Sequence, residues 1–273
     1  MTDLNGKQIA FLGGGHITEI LLDKLLGSAT LAPEQIVVSS RGQRRLAQLG
    51  ERFGIAMMQD NVAAARRANM IVVAVRPDVV SAVVEDLVSA ELSPTQLIIS
   101  LAAGTPFSRY ERLSNQQPLI RAMPNPPSRI GQGLIALCLS PHVTGDQREQ
   151  TMQLFAPLGQ IVEVHETQLD LITSLTSPVT TLLFLQSLIN AGISGGLAQP
   201  LARQIASQTV LGTLNMWQAS TQSAEALIAE ASTPGGISAE TLTKLRKLGF
   251  NTTVMAALAA GAARAQEIAK SEG

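Results

Sequence analysis

Ile9-Ala10-Phe11-Leu12-Gly13-Gly14-Gly15-His16-Ile17 is the stretch on which the fold turns. The apolar run reads as a buried strand, and the residues after Gly15 open an amphipathic helix. Gly13 allows a tight turn between them. Gly15 removes the side chain that would block close approach of a ligand. Free N–H groups and the positive end of a helix dipole then attract a diphosphate, so the expected ligand is a dinucleotide. Thr18 stands where the fingerprint's third Gly or Ala packs helix against strand, so the glycine signal gains its force from its place in the first of several strand–helix alternations.

Working outward, short apolar runs at 8–12, 36–39, 55–57, 71–75, 97–101, 119–123, 134–138 and 161–164 read as strands. Helical patterns such as 17–26, 43–52, 79–87 and 147–155 lie between them. That alternation predicts an α/β fold: an N-terminal Rossmann-type doubly wound sheet, buried on both faces, over residues 1–165. From Glu166 the strand signals stop, and residues 166–273 read as an all-helical C-terminal domain for substrate binding and dimerisation. Its weakly charged, Ala-rich helices suit a core completed by another copy, a homodimer or higher homo-oligomer. Trp217 and the methionines read as core or interface fillers.

A chain of 273 residues that is 45% hydrophobic and 15% charged is globular, not disordered. A net charge of −1 with scattered arginines carries no nucleic-acid footprint. The N-terminal MTDLNGKQ has no signal-peptide pattern, and the greasiest stretch, 181–193, is interrupted by Gln186, Ser187 and Asn190. The expectation is a soluble cytoplasmic protein that neither spans nor binds a membrane. The single cysteine, Cys138, lies in an apolar run and reads as a buried thiol in a reducing compartment. His16, His142 and His165 lack metal-ligand spacing, so no metal site is expected.

The second strand chooses the nucleotide. A site for NAD normally carries Asp or Glu at that strand's end, to accept from the ribose 2′-OH. Here the strand ends in Ser39-Ser40-Arg41, with Arg44 and Arg45 one turn on. Hydroxyl and guanidinium donors fit a 2′-phosphate, which favours NADPH over NADH.

Four further segments belong together: Val73-Ala74-Val75-Arg76-Pro77, Ser100-Leu101-Ala102-Ala103-Gly104, Arg121-Ala122-Met123-Pro124-Asn125 and Thr233-Pro234-Gly235-Gly236-Ile237-Ser238. In order and spacing they resemble the pyrroline-5-carboxylate reductase family, the NAD(P)H-dependent enzymes of proline biosynthesis, from about Lys7 to Phe250. The resemblance implies that Ala74, Val75, Arg76, Pro77, Ala102, Ala103, Gly104 and Asn125 line the dinucleotide cleft with Gly13, Gly14, Gly15, His16 and Ile17. It implies that Asn61 lies near the cofactor ribose and that Glu166 is a second catalytic candidate. Thr233, Gly235, Gly236 and Ile237 resemble the family's substrate-carboxylate cradle, and Ser238 matches a threonine whose hydroxyl meets the ring nitrogen. A helix start suits that cradle, because free N–H groups hold a carboxylate without an arginine.

The chain departs from the family at Thr176-Ser177-Pro178, where a glycine-rich run that helps form the substrate pocket has lost both glycines. Gln186 and Asn190 stand where acidic residues are usual, and Ile237 is bulkier than the usual cradle residue. The implied reaction is NADPH-dependent hydride transfer to a cyclic imine carboxylate, 1-pyrroline-5-carboxylate going to L-proline. A protonated imine is already electrophilic, so such an enzyme works chiefly by positioning. Two alternatives stay open: a paralogue reducing a different imine, and a non-catalytic NADPH-binding protein. A β-hydroxyacid dehydrogenase would need a base, usually lysine, and residues 166–240 contain no lysine.

Overall fold

The computed structural model describes residues 4–114 and 116–271. Met1–Asp3, the head of the N-terminal stretch read above, lie outside the described residues. Eight strands form one sheet: β1 (Ile9–Leu12), β2 (Ile36–Ser39), β3 (Ala56–Met58), β4 (Met70–Val73), β5 (Leu97–Ser100), β6 (Leu119–Met123), β7 (Gly133–Leu139) and β8 (Gly159–Glu163). Their order is β3-β2-β1-β4-β5-β6-β7-β8, so the chain reverses its direction of travel between β1 and β4. The pairings are parallel except that β7 runs antiparallel to β6. The sheet is the expected doubly wound one, and β7 reverses because the short 124–132 connection cannot hold the crossover that parallel neighbours require.

Alternate residues of the central strands enter two different cores, as the period of two demands. Ile9, Phe11, Val38, Val72 and Ile99 share one core with Leu21, Leu22 and Leu25 of α1 (His16–Gly27), Leu46 and Leu49 of α2 (Gln43–Phe53), and Phe155 of α5 (Gly145–Phe155). Ala10, Leu12, Ile71, Val73 and Ile98 pack on the other face against Ala64 and Ala65 of α3 (Asn61–Arg67) and Val83, Val84 and Leu87 of α4 (Val80–Ser89). A third, smaller cluster holds Met123, Ala136, Cys138 and Leu169, the first residue of α6 (Leu169–Leu175). Cys138 is buried as expected.

The compact units divide elsewhere than at residue 166. One contains the sheet with residues up to Thr176 and the stretch from Ala259 onward; the other is Ser177–Leu258. Helix α6 and the later turns of α11 (Phe250–Ser271) therefore belong with the sheet.

The second unit is helical throughout: α7 (Pro178–Ser194), α8 (Gln199–Ala219), α9 (Ala224–Ala231), α10 (Ile237–Lys247) and the start of α11. Ser177 caps α7 through the Val179 N–H, and Pro178 sits at its first turn, where no hydrogen bond is lost. Gly192 lets α8 approach, since a Cβ there would lie 3.1 Å from the Ala202 Cβ. Within this unit, the described hydrophobic residues that are fully buried are Ala202 and Ala206. Leu182, Leu183, Leu211, Met216 and Met255 are exposed, and Trp217 is 46% exposed, so it fills no core of the single chain.

One helical stretch, Glu166–Ser194, is long and apolar enough by length and composition to cross a membrane, which the shorter 181–193 reading did not anticipate. Ser177-Pro178 breaks it into α6 and α7.

Candidate active site

The glycine turn lies at the carboxyl end of β1, beside β4, where the strand order reverses. Gly13 has a φ of +116°, and a Cβ there would stand 2.8 Å from the Ala74 carbonyl carbon and closer still to its oxygen. Its N–H donates to the Ser39 carbonyl at 2.7 Å, while the Ala74 N–H donates to Leu12 at 2.8 Å. Only glycine fits between the two strands. Gly15, by contrast, has nothing within 4 Å of a would-be Cβ, so the space above the start of α1 is open. The amides of His16, Ile17 and Thr18, in the first turn of α1, have no intrahelical acceptor.

Thr18 explains the missing third glycine. It is fully buried, and its hydroxyl donates to the Gly13 carbonyl, locking helix to turn. A second brace escaped the sequence reading. Arg45 Nε donates to the Gly14 carbonyl at 3.0 Å, and its guanidinium pairs with Glu19 at 2.6 Å. Arg52 joins Glu19 from two turns further along α2. The hydrogen bond from Arg45 is the main reason that the Glu19 carboxyl is held below the usual range. The i, i+7 spacing of Arg45 and Arg52 was a legible signal of one helix face. His16 is exposed, and Arg129 donates to its Nε2 at 2.8 Å, so the imidazole accepts there. Arg129, far away in sequence, gave no advance sign of this contact.

At the end of β2 the reading needs revision. Ser39 is fully buried, and its hydroxyl donates to Asn61 Oδ1 at 2.7 Å. Asn61 Nδ2 in turn donates to Asp86 at 2.8 Å. The Ser39 hydroxyl thereby has its one hydrogen committed to joining β2 with α3, whereas the half-buried Asn61 joins α3 to α4 and keeps a second amide N–H. Arg41 and Arg44 are exposed and Ser40 half-buried, so these three are available donors too.

Along the next strand ends, Ala74 and Ala102 are buried, Val75 and Ala103 half-buried, and Arg76 is exposed and paired with Asp78 at 2.8 Å just after Pro77 begins its turn. Gly104 has a packing reason to be glycine. A Cβ there would lie 2.6 Å from the Ala265 carbonyl oxygen, so it is glycine to admit α11. Tyr110 is buried and donates to Ser100 Oγ at 2.7 Å. Burial pushes its phenol up to about 12, so it stays neutral at physiological pH.

Three further expected site residues are engaged by neighbours within the same unit. Glu166 Oε1 accepts from the Phe107 N–H at 2.7 Å and from buried Arg121 at 2.9 Å. Asn125 Nδ2 donates to the Thr176 carbonyl at 3.0 Å, while its Oδ1 accepts from the Leu134 N–H at 2.9 Å. The Thr176 hydroxyl donates back to Ile172 inside α6. These contacts hold Glu166, Asn125 and Thr176 in place within the unit. Among the described residues no three His, Cys, Asp or Glu side chains gather as metal ligands.

In the helical unit, Thr233–Gly236 forms a tight turn. The Gly236 N–H donates to the Thr233 carbonyl at 2.9 Å, with Pro234 second and Gly235 third at a φ of +76°. That is the type II arrangement, which demands glycine at the third place. The turn delivers Gly236 as cap of α10, leaving the first-turn amides at Ile237 and Ser238 without intrahelical acceptors. Ile237 is 90% exposed and Ser238 is exposed.

The sheet order with a glycine turn at its switch point defines a dinucleotide-binding oxidoreductase fold. Residues 8–104 match the family described as NADP oxidoreductase, coenzyme F420-dependent, and residues 166–268 match the pyrroline-5-carboxylate reductase dimerisation family. The chain is 30% identical to a pyrroline-5-carboxylate reductase of Synechocystis, over 96% of its own length and 98% of the relative's. Among solved structures, pyrroline-5-carboxylate reductase of Coxiella burnetii is 29% identical, with a TM-score of 0.86 and coverage of 97% and 99%. The Plasmodium falciparum enzyme, solved with NADP bound, is 25% identical with a TM-score of 0.86 and coverage of 97% and 98%. The chain belongs to the pyrroline-5-carboxylate reductase family.

Replacing Gly13 by alanine should weaken NADPH binding at least about tenfold, because the β1 turn must move off Ala74. Titration by NADPH fluorescence checks this, and Gly15→Ala, in open space, should leave the fold intact. A carboxyl whose pKa is lowered by folding stabilises the protein above its unfolded pKa and loses that contribution as pH falls through the folded one. Glu19→Gln should therefore flatten the fall in stability below about pH 5, followed by urea unfolding at successive pH values.

Proposed function

We propose that this chain is an NADPH-dependent oxidoreductase acting on a C=N bond, reducing 1-pyrroline-5-carboxylate to L-proline. The observation that carries the reading is full-length membership of the family together with a cofactor turn built to family logic at Gly13–Gly15.

The residues present fit the dinucleotide. Space above Gly15 admits a diphosphate, and the amides of α1 face it without acceptors of their own. No carboxylate ends β2, and Ser40, Arg41 and Arg44 offer donors to a 2′-phosphate, which supports NADPH over NADH. Bound there, the nicotinamide supplies a hydride. On the substrate side, the α10 amides at Gly236–Ser238 hold the carboxylate, and the Ser238 hydroxyl meets the ring nitrogen. Thr233 and Gly235 shape that cradle, while Ser177 and Pro178 begin the helix that carries the altered family segment. The hydride forms the new C–H bond, the C=N electron pair passes to nitrogen, and the nitrogen keeps the proton with which the iminium arrived. Positioning thus does most of the catalysis.

The assembly is a homodimer or larger homo-oligomer formed through the helical unit. Its exposed leucines, Met216, Trp217 and Met255 support this, as does the family match over 166–268. The same apolar need accounts for the hydropathy of Glu166–Ser194 without a membrane. A soluble metabolic reductase with a buried, unpaired thiol suits the cytoplasm.

NADPH oxidation with pyrroline-5-carboxylate tests the reading, with kcat expected on the order of 1–1000 per second. Arg41→Ala should reduce the preference for NADPH over NADH about tenfold or more. Unchanged kcat/KM in Ser238→Ala would remove the proposed nitrogen contact. NADPH binding without turnover would point to another imine or a binding role, an outcome that the paired Gln186 and Asn190 of α7 make worth testing. Sedimentation should give at least twice the single-chain mass, and a monomer would overturn the assembly.

A further inference from the structure

We propose that Arg121 and Asn125 of the Arg-x-Met-Pro-Asn segment are positioning residues that splint helix α6 at both ends, rather than a grip on the dinucleotide. The proposal rests on the reading of the chain as an imine reductase for its catalytic consequence, but not for its geometry.

Arg121 lies on β6 at 3% exposure and reaches Glu166, just before α6 begins. Asn125, four residues on, donates to the carbonyl of Thr176, the C-cap of the same helix. The spacing is a matter of dimensions. Four residues of extended chain span about 13 Å. The ten residues from Glu166 to Thr176, coiled in a short turn and a helix, span about 15 Å. Arg121 on β6 and Asn125, two residues past its end, are therefore spaced to hold both ends of one helix. Met123 and Leu169 belong to one apolar cluster, with Ala136 and Cys138, on this side of the sheet.

Each contact has a second function. Glu166 Oε1 also accepts from the Phe107 N–H, which ties the loop after β5 to the start of α6. Asn125 Oδ1 accepts from the Leu134 N–H, which ties the end of β6 to β7. Arg121 Nε is buried without a partner among the described residues, so its ion pair with Glu166 carries its compensation for burial. Asn125 commits one amide N–H and one oxygen lone pair to these two contacts, which fix the orientation of its side chain. What the splint fixes is Thr176, the first residue of the segment in which this chain departs from its family.

Asn125→Asp isolates the effect, since it keeps an acceptor for Leu134 and loses the donor to Thr176. Three readouts are compared with the wild type: NADPH Kd by fluorescence, amide exchange in 169–175, and kinetics with pyrroline-5-carboxylate. The splint predicts an NADPH Kd within threefold, exchange in α6 faster by tenfold or more, and kcat/KM for the imine lower by tenfold or more. Tenfold weaker NADPH binding with unchanged exchange in α6 would overturn it and return Asn125 to the cofactor. Lower stability with unchanged kinetics would overturn the positioning role while leaving the contact structural. If the wild type does not reduce this imine, the functional reading fails, and the exchange and Kd pair still decides the splint. Glu166→Gln provides an independent variant that keeps the acceptor for Phe107 and removes the ion pair. It should accelerate exchange at the first turn of α6, and unchanged exchange there would count against the splint.

Discussion

A carbonyl group, Ala74, stands where the side chain of residue 13 would have to go, and the chain must still turn there from β1 into α1. Everything on the cofactor side follows from that lack of space. The turn has to be glycine, and its amide is held by Ser39 on β2. The adjoining strand β4 belongs to the opposite direction of winding, so one residue sits at the seam between the two halves of the sheet. Thr18 and Arg45 then fix the carbonyls of Gly13 and Gly14, which leaves the amides as the groups offered outward.

Polar groups inside this fold work mostly as joints. Ser39, Asn61 and Asp86 connect β2 with α3 and α4; Tyr110 and Ser100 connect a turn with β5. Arg121 with Glu166, and Asn125 with Thr176, connect β6 with α6. Such groups are stable only when paired, because a buried donor or charge left alone is costly. Their contribution is geometric definition more than net stability, since desolvation offsets much of a buried pair's attraction.

The helical unit obeys a different rule. Its sequence is as apolar as the sheet's, but its small residues let helices touch without enclosing much. Leucines and Trp217 remain outside, and association with another copy is the means by which such a surface leaves water. Composition alone could not separate this case from a membrane helix. The break at Ser177-Pro178 divides the stretch into α6 and α7, and residues 166–268 match a dimerisation family.

Local chemistry made much of this legible. Strand runs, helix periods, the glycine turn and the Thr233–Gly236 turn all depend on residues near in sequence, and all appear where their patterns place them, within a residue or two at several strand ends. The antiparallel β7 was legible in principle from its short connection. Partnerships were not. Ser39, Asn61, Glu166 and Asn125 are polar residues beside a cleft, and by residue type each could equally hold a ligand or a neighbouring strand. The folded chain, by bringing residue 125 to 176 and 121 to 166, shows the neighbours that residue type left unnamed. The sequence by itself determined the elements and the dinucleotide turn, because those follow from backbone sterics and periodicity. The tertiary structure decided what each polar side chain does, because a hydrogen bond depends on who is within 3 Å and not on distance along the chain.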